Sequence, residues 1–525
     1  MPVYKPTPGK PNKKLHSKVF SVPLYALSFW YLGIPVLIFL ASWLSWYVAV
    51  PACLAWAVAM WGVHKETCRS PDNQVVFSGW ELMVVGVGAA LFCLFAGVGG
   101  VTYQHGDYDK HNAIFHDLIQ HEWPVIYPPN AYTEATTFLN YYLGYYLVPS
   151  VLAKLTGMEW AALWVFLWTS LGKMLALMHM KAFARMHYGL LVLGFLLFGG
   201  FDVLTGVYRS AQVWYHEGLG PDLLEVLVIE TWEVSLMKNW GLVSNARNVS
   251  YVANIIAFES VPQHALASWL AVGVLMGTLL HRVYKGGFWL LLAFVGFWSP
   301  LVAVGILPWI LFVHFSRPFS LKEFVTLPNM LAVPLGILLM LYFLCRFPLQ
   351  PSGWAWHFIP ADSFLILYVL FIALEFGVYA AIAFWVLKTP RHRYMLVLVC
   401  MVLLVSPLYK LGYYSDLLTR GSNPSLCILY FLLVWALPQI NLLQWSAYSN
   451  KQRILVFCLL LGFANPVRYI AMRLIPYPIV ATYLPPKVPT IQTVESLYAL
   501  PFRQVVAQQY MGDMEGFFYR YLAKK

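Results

Sequence analysis

Apolar runs recur along this sequence, and many reach the roughly 18–20 residues that a helix needs to cross a bilayer. That is the tightest constraint on the fold. Lipid offers no partner to a backbone N–H or C=O, so a crossing chain must close its hydrogen bonds within each segment, as helices do. Charged residues make up 11% of the chain, against about 25% in a soluble domain. The sequence therefore predicts an all-α polytopic membrane protein in a lipid bilayer, with some of its many Trp and Tyr forming interfacial belts. The net charge of +11 does not point to nucleic acid, because most Lys and Arg lie in short loops between spans, where they set orientation. The seven Cys are odd in number and mostly inside apolar runs, which implies no disulfide framework.

Placing the basic loops on one side gives about thirteen crossings. Residues 1–21 read as a cytoplasmic basic tail before a retained first span. Val22–Val63 reads as two spans with a turn near Ser42–Trp46. His64–Gln74 suits the cytoplasm, and Val75–Tyr103 crosses outwards, with the GVGG at Gly97–Gly100 serving helix packing inside that span. Phe138–Leu155 contains four Tyr and a Pro and reads as an interfacial block, since Lys181 and Arg185 then fall in the cytoplasm. Glu159–Met178 crosses inwards and Leu190–Val207 crosses outwards, while Trp298–Pro300 breaks Phe288–Phe315 into two short helices. The transmembrane domain, 22–475, then carries extracytoplasmic loops at 104–158, 208–261 and 412–425, followed by an extracytoplasmic tail at 476–525.

Ionisable residues that loop orientation does not explain are functional candidates, because charge at membrane depth is costly unless paired. They concentrate in QHGDYDKHNAIFHDLIQHEWPVIYPP, Gln104–Pro129. At helical spacing, Ile114, Phe115, Leu118 and Ile119 share one face, and Asp109, Asn112, His116 and Gln120 the other. Such a helix lies along a membrane surface, its polar face towards water or a cleft. Asp107 and Asp109 stand where the preceding span ends. Either carboxylate can accept a proton from a hydroxyl, and either can simply cap the helix. His105, His111, His116 and His121 suit hydrogen bonding better than a metal: His111 and His116 are five apart, although Asp107 with His111 and Asp117 with His121 are four apart. No cofactor motif is visible: there is no P-loop, GxSxG or HExxH.

GYYSDLLTRGSNP is the second notable stretch. Asp416 and Arg420 are four apart, so they form either a plain ion pair or a phosphate-binding Arg oriented by its carboxylate. His264 opens the span VPQHALASWL; Glu230 and Glu233 flank Trp232; Arg247 lies in SNARN.

DYDKHNAIFHDLIQHEWPV, SNARN, VPQHALASWL and GYYSDLLTRGSNPSL together resemble the GT-C superfamily of integral-membrane glycosyltransferases. Members are similar in placing an acidic residue early in the first large extracytoplasmic loop, then a surface helix, then many spans. The resemblance implies inverting transfer of a sugar from a polyprenyl-phosphate donor to a hydroxyl on a glycan, lipid or protein acceptor. It also implies a bacterial inner-membrane location with the active site outside. It makes Asp109 the general base, with Asp107 the second choice. Arg420 becomes the donor phosphate site, helped by Arg247, His264 and Asp416, and His111, His116 and Glu233 face the sugar or acceptor. Two extra spans precede the catalytic loop, and the Asp-Glu doublet of some members is absent, so the choice between Asp107 and Asp109 stays open. Two other functions compete: a transporter or flippase of lipid-linked sugars, and a polysaccharide polymerase or ligase, which would lean on Arg and His in a late loop.

Overall fold

A computed structural model describes residues 19–69, 74–102, 104, 106–129, 135–183, 188–220, 250–281, 286–316, 321–348, 351–359, 361–412, 415–437, 446, 448–474, 488–499 and 508–525. The helices are α1 (Leu24–Trp43), α2 (Trp46–Arg69), α3 (Gly79–Phe95), α4 (Tyr108–Gln120), α5 (Leu147–Thr156), α6 (Ala161–Phe183), α7 (Tyr188–Leu196), α8 (Asp202–Glu217) and α9 (Asn254–Ser260). They continue with α10 (Pro262–His281), α11 (Phe288–Trp298), α12 (Pro300–Phe315), α13 (Leu327–Leu344), α14 (Asp362–Val386), α15 (Pro390–Val405), α16 (Asn423–Ala436) and α17 (Asn450–Leu474). Among the described residues, nine helices are long and apolar enough to cross a membrane. The spans of α10 and α16 are 94% and 83% buried and form the centre, whereas those of α14, α15 and α17 expose most of their apolar surface. That exposure is what lipid-facing helices need.

Small strands close the two ends of the bundle. At one end β1 (Val19–Val22) pairs antiparallel with β2 (Val75–Ser78). Ser78 and Glu81 form a capping box that starts α3, and Lys181 Nζ reaches Glu81 at 2.7 Å. At the other end β3 (Ile126–Tyr127), β4 (Thr137–Leu139) and β7 (Met511–Asp513) form a three-stranded sheet in the order β3–β4–β7, while β5 (Gly353–Trp354) and β6 (Tyr409–Lys410) form a separate antiparallel pair. The C-terminus continues to the α1–α2 turn, where Ser45 N donates to the Leu522 carbonyl and Lys524 N to that of Trp43, both at 2.8 Å. The α1–α2 turn, α4, the end of α13 and the C-terminus therefore meet at one end.

The expected break within Phe288–Phe315 is present. Ser299 ends α11 and caps α12, accepting from Val302 N, with Pro300 in the first turn. Elsewhere the structure departs from expectation. Leu190–Val207 is not one helix: α7 and α8 are separated at 197–201, where chains approach closely, and a Cβ on Gly462 would lie 2.7 Å from the Gly199 carbonyl. GVGG does not pack inside a span. It ends α3 in a turn, with Gly97, Gly99 and Gly100 all at φ of 74–84°, where an L side chain is strained. In the block Phe138–Leu155 the chain becomes α-helical only at Leu147, where the ten-residue α5 begins, ~15 Å of rise and about half a bilayer. Its four tyrosines are buried in protein rather than set on the rim.

Nor is α4 a surface helix. Its polar face is roofed by the C-terminal segment, which is no free tail. Asn112 Nδ2 donates to the Pro489 carbonyl at 2.7 Å. Asp117, with no exposed surface, accepts from Tyr127 Oη at 2.8 Å and from Ser496 Oγ and Leu497 N, both at 2.9 Å. Asp117→Ala should strand these donors at a cost of about 3 kcal/mol. It should lower the thermal midpoint in detergent and speed proteolysis of 488–525; an unchanged midpoint would refute this anchoring role.

Candidate functional site

A cavity of about 210 Å³ opens at the end of the bundle that the C-terminus covers. Three separate parts of the chain supply its charged groups. The first turn of α4 brings Asp107 and Lys110, the end of α13 brings Arg346, and the approach to α16 brings Asp416 and Arg420. Tyr141, Tyr142, Tyr469, Gln509 and Tyr510 fill in the walls.

Each position has a local cause. Asp107 occupies the N-cap of α4 but makes no side-chain capping bond. Its carboxylate instead lies 3.3 Å from the buried Lys110 Nζ. Burial works against the charge on Lys110, but Asp107 outweighs it and holds the ammonium above the ordinary lysine range. Asp416 follows Ser415, whose φ of 53° puts a non-glycine residue in the left-handed region. The next turn, Leu417–Gly421, is a π-helix, a wider ring often found at functional sites. Arg420 pairs with Asp416 within it. This turn packs closely on α12, because Gly305 leaves room for the Gly421 backbone.

Arg346 is held differently. The backbone of 345–347 pairs with β7: Asp513 N donates to the Cys345 carbonyl at 2.8 Å and Phe347 N to that of Met511 at 3.3 Å. The Arg346 Nε donates to the Gln509 carbonyl, and the guanidinium lies 4.8 Å from the Tyr142 ring centroid. Burial opposes its charge, and the Tyr142 hydroxyl outweighs that, holding the guanidinium above its ordinary value. Two carboxylates thus face three cations, and each carboxylate has its own cation. Among the described residues no ion pair joins Arg346 to a carboxylate. The cavity carries a surplus positive charge suited to an anion.

The structure brings Asp107, Asp416 and Arg420 together on this wall. Asp109 is one residue inside α4, half-buried, and does not line the cavity. His111 and His264 lie behind the wall. His111 Nε2 meets the Ser260 carbonyl at 2.9 Å and must carry a proton there, which leaves Nδ1 to accept from Tyr146 Oη at 2.6 Å in the neutral ring. His264 Nδ1 bonds Ser299 Oγ at 2.6 Å, and its ring meets Tyr142 edge-on at 5.2 Å. His116 sits 3.2 Å from Asp117, away from the cavity. His105, Glu230, Glu233 and Arg247 lie outside the described residues. Among the described residues, no three His, Cys, Asp or Glu side chains converge as metal ligands.

Sequence reasoning missed Arg346, although a signal was present. It directly follows the apolar run at 324–345, and in the expected topology it lies where loop charge does not call for a cation, the criterion that singled out Arg420. Tyr141, Tyr142, Gln509 and Tyr510 had no such signal.

A second space adjoins the first. An apolar groove of about 160 Å³ is lined by Phe92, Phe95, Leu193, Leu196, Ile255 and Ile470, and it shares Tyr469 with the polar cavity. Helix α9 divides them: Ile256 and Ser260 face the cavity, Ile255 and Glu259 the groove. The arrangement offers a cationic pocket beside an apolar channel. No family model, curated protein or solved structure matches this chain.

The Asp416–Arg420 pair is buried at the wall. Asp416→Asn should destabilise the fold by about 3 kcal/mol by leaving Arg420 without its counter-charge, and Asp416→Asn/Arg420→Gln should recover part of that loss. A double-mutant cycle on unfolding midpoints in detergent measures the coupling. Additive losses would mean that the pair carries no interaction energy.

Proposed function

We propose that this protein is a membrane glycosyltransferase of GT-C type, moving a sugar from a polyprenyl-phosphate donor to a hydroxyl acceptor with inversion. One observation carries the reading: a cavity holding Arg346, Arg420, Lys110 and a carboxylate opens beside an apolar groove and shares Tyr469 with it. An anionic headgroup with a hydrocarbon tail matches that pair of spaces. In this reading the chain crosses about thirteen times with its basic loops in the cytoplasm. The cavity then faces the extracytoplasmic side of a bacterial inner membrane.

In the proposed reaction the acceptor oxygen attacks the anomeric carbon through an oxocarbenium-like transition state. Asp107 takes the acceptor proton. The bond from the anomeric carbon to the phosphate oxygen breaks, and its electron pair leaves on the lipid phosphate. Arg346 and Arg420 stand where that charge develops. Asp107 replaces Asp109 as first choice for the base because it lines the cavity and Asp109 does not. The runner-up is a transporter of lipid-linked sugars, favoured by the helix breaks at Ser299 and between α7 and α8.

Native mass spectrometry of the detergent-purified protein with polyprenyl phosphate tests the headgroup site. Wild type and Asp107→Asn should bind it, and Arg346→Gln should bind at least about tenfold more weakly, ~1.4 kcal/mol. Absence of binding by wild type would remove the main support. In turnover assays across a panel of polyprenyl-phosphate sugars, Asp107→Asn should lose about 10²–10⁴-fold, the usual worth of a general base. Asp109→Asn should lose far less. Undiminished transport by Asp107→Asn, with no transfer by wild type, would favour the transporter.

A further inference from the structure

Residues 376–494 hold ten Lys and Arg but one carboxylate, Asp416, and that residue belongs to the cavity. Five of those cations, Lys388, Arg391, Arg393, Lys451 and Arg453, stand where α14 ends and where α15 and α17 begin. This region is remote from the cavity. Tyr469 of α17 lines the cavity, and Lys451 lies at the other end of the same helix, ~27 Å of rise away and close to the thickness of a bilayer core.

The electrostatics of these two helix starts is unfavourable by itself. The exposed N–H groups of a helix start favour negative charge. Neither α15 nor α17 has an acidic residue in its first turn. Arg391 and Arg393 stand there in α15, Lys451 and Arg453 in α17. At α17 the neutral Gln452 takes the backbone N–H of Ser449 at 3.0 Å, a role that Glu81 fills for Ser78 at the start of α3.

The last turns of α14 pack against both α15 and α17. The adjacent Phe384 and Trp385 of α14 are each about half exposed, and each carries a cation from a different neighbour. Lys451 Nζ lies 3.8 Å from the Trp385 ring centroid, and the Arg393 guanidinium 5.1 Å from that of Phe384. Arg393 Nε donates to the Leu387 carbonyl at 2.8 Å, which holds the guanidinium at the helix end. Among the described residues, neither cation pairs with a carboxylate.

We propose that this face binds a phospholipid with an anionic head, its phosphate held by Lys451 and Arg393 and its acyl chains lying along the exposed side of α14. The binding is independent of the chemistry in the cavity. Charge decides the occupant. Any lipid can cover apolar helices, but only a net anion offsets two helix starts that carry cations and no acid. A head with its own ammonium leaves that imbalance in place.

The test is native mass spectrometry of the full-length protein in detergent, with phosphatidylglycerol and phosphatidylcholine of identical chains. Wild type should hold phosphatidylglycerol the more tightly. Arg393→Gln/Lys451→Gln should weaken that binding about thirtyfold, the worth of two cations at a membrane surface, and leave phosphatidylcholine unchanged. Lys451→Arg keeps both the charge and a group that stacks on Trp385, and it should bind like wild type. Lys322→Gln removes an exposed cation from the segment before α13 and should also bind like wild type. Phosphatidylglycerol should raise the thermal midpoint of wild type and leave that of the double variant where it is. Equal retention of the two lipids by wild type would mean an ordinary lipid annulus and overturn the proposal. Undiminished phosphatidylglycerol binding by the double variant would overturn it too. An equal loss in Lys322→Gln would show diffuse attraction to net charge in place of a site.

Discussion

A carboxylate with no exposed surface must find its hydrogen-bond donors within the protein, and the covered end of this structure depends on how Asp117 finds them. One donor comes from Tyr127 beside β4, and two come from Ser496 and Leu497, nearly 400 residues further along the chain. That fan draws the C-terminal segment over α4. Once there, the segment adds β7 to the sheet and hands its Gln509 carbonyl to Arg346. The cavity is thus built by a long-range closure, in which α4 supplies one wall and the last residues of the chain supply another.

Charge balance then fixes what the cavity can accept. Lys110 and Arg420 each have a carboxylate at hand, while Arg346 is held by a carbonyl and by aromatic faces. An aromatic face attracts a cation without neutralising it. A guanidinium held this way keeps its formal charge and the N–H donors that Gln509 and Tyr142 do not take up. Asp107 and Asp416 therefore do not cancel the site. They pair with two cations and leave the third without an ion pair among the described residues.

The broad plan was legible in the sequence because the bilayer allows few alternatives. Length and hydropathy suffice to read an all-α chain with apolar helices long enough to cross a bilayer, and the Trp298–Pro300 break follows from the chemistry of proline. The Asp416–Arg420 pair was legible too, since four residues bring two side chains together on almost any helical turn. What the sequence hid were features set by contact across the chain. GVGG is apolar enough to read as helix, yet its glycines are there for positive φ. Tyr141, Tyr142, Tyr145 and Tyr146 carry the composition of an interfacial belt, but neighbouring elements bury them. A periodic polar face on α4 looks like a solvent face until a distant segment covers it. Asp107 and Asp109 differ only in whether they face a cavity, and no local pattern encodes that.

The partition between the polar cavity and the apolar groove rests on α9, seven residues that alone would not hold a helix in water. Its position is fixed from the side. Phe258 stacks on Trp269 of α10 at 5.6 Å and meets Phe92 of α3 at 5.1 Å. Lys173 of α6 sets its Nζ 3.8–4.3 Å from the centroids of these three rings, and that nitrogen has no hydrogen-bond partner among the described residues. An amine so enclosed interacts with whatever the rings can offer, and three faces together approach a site that water would otherwise provide. The same contact therefore does two things. It makes a buried lysine tolerable, and it ties α3, α6 and α10 to the short helix that separates charge from hydrocarbon. Phe92 belongs to both the cage and the groove wall. The apolar groove and the buried lysine thus share a ring.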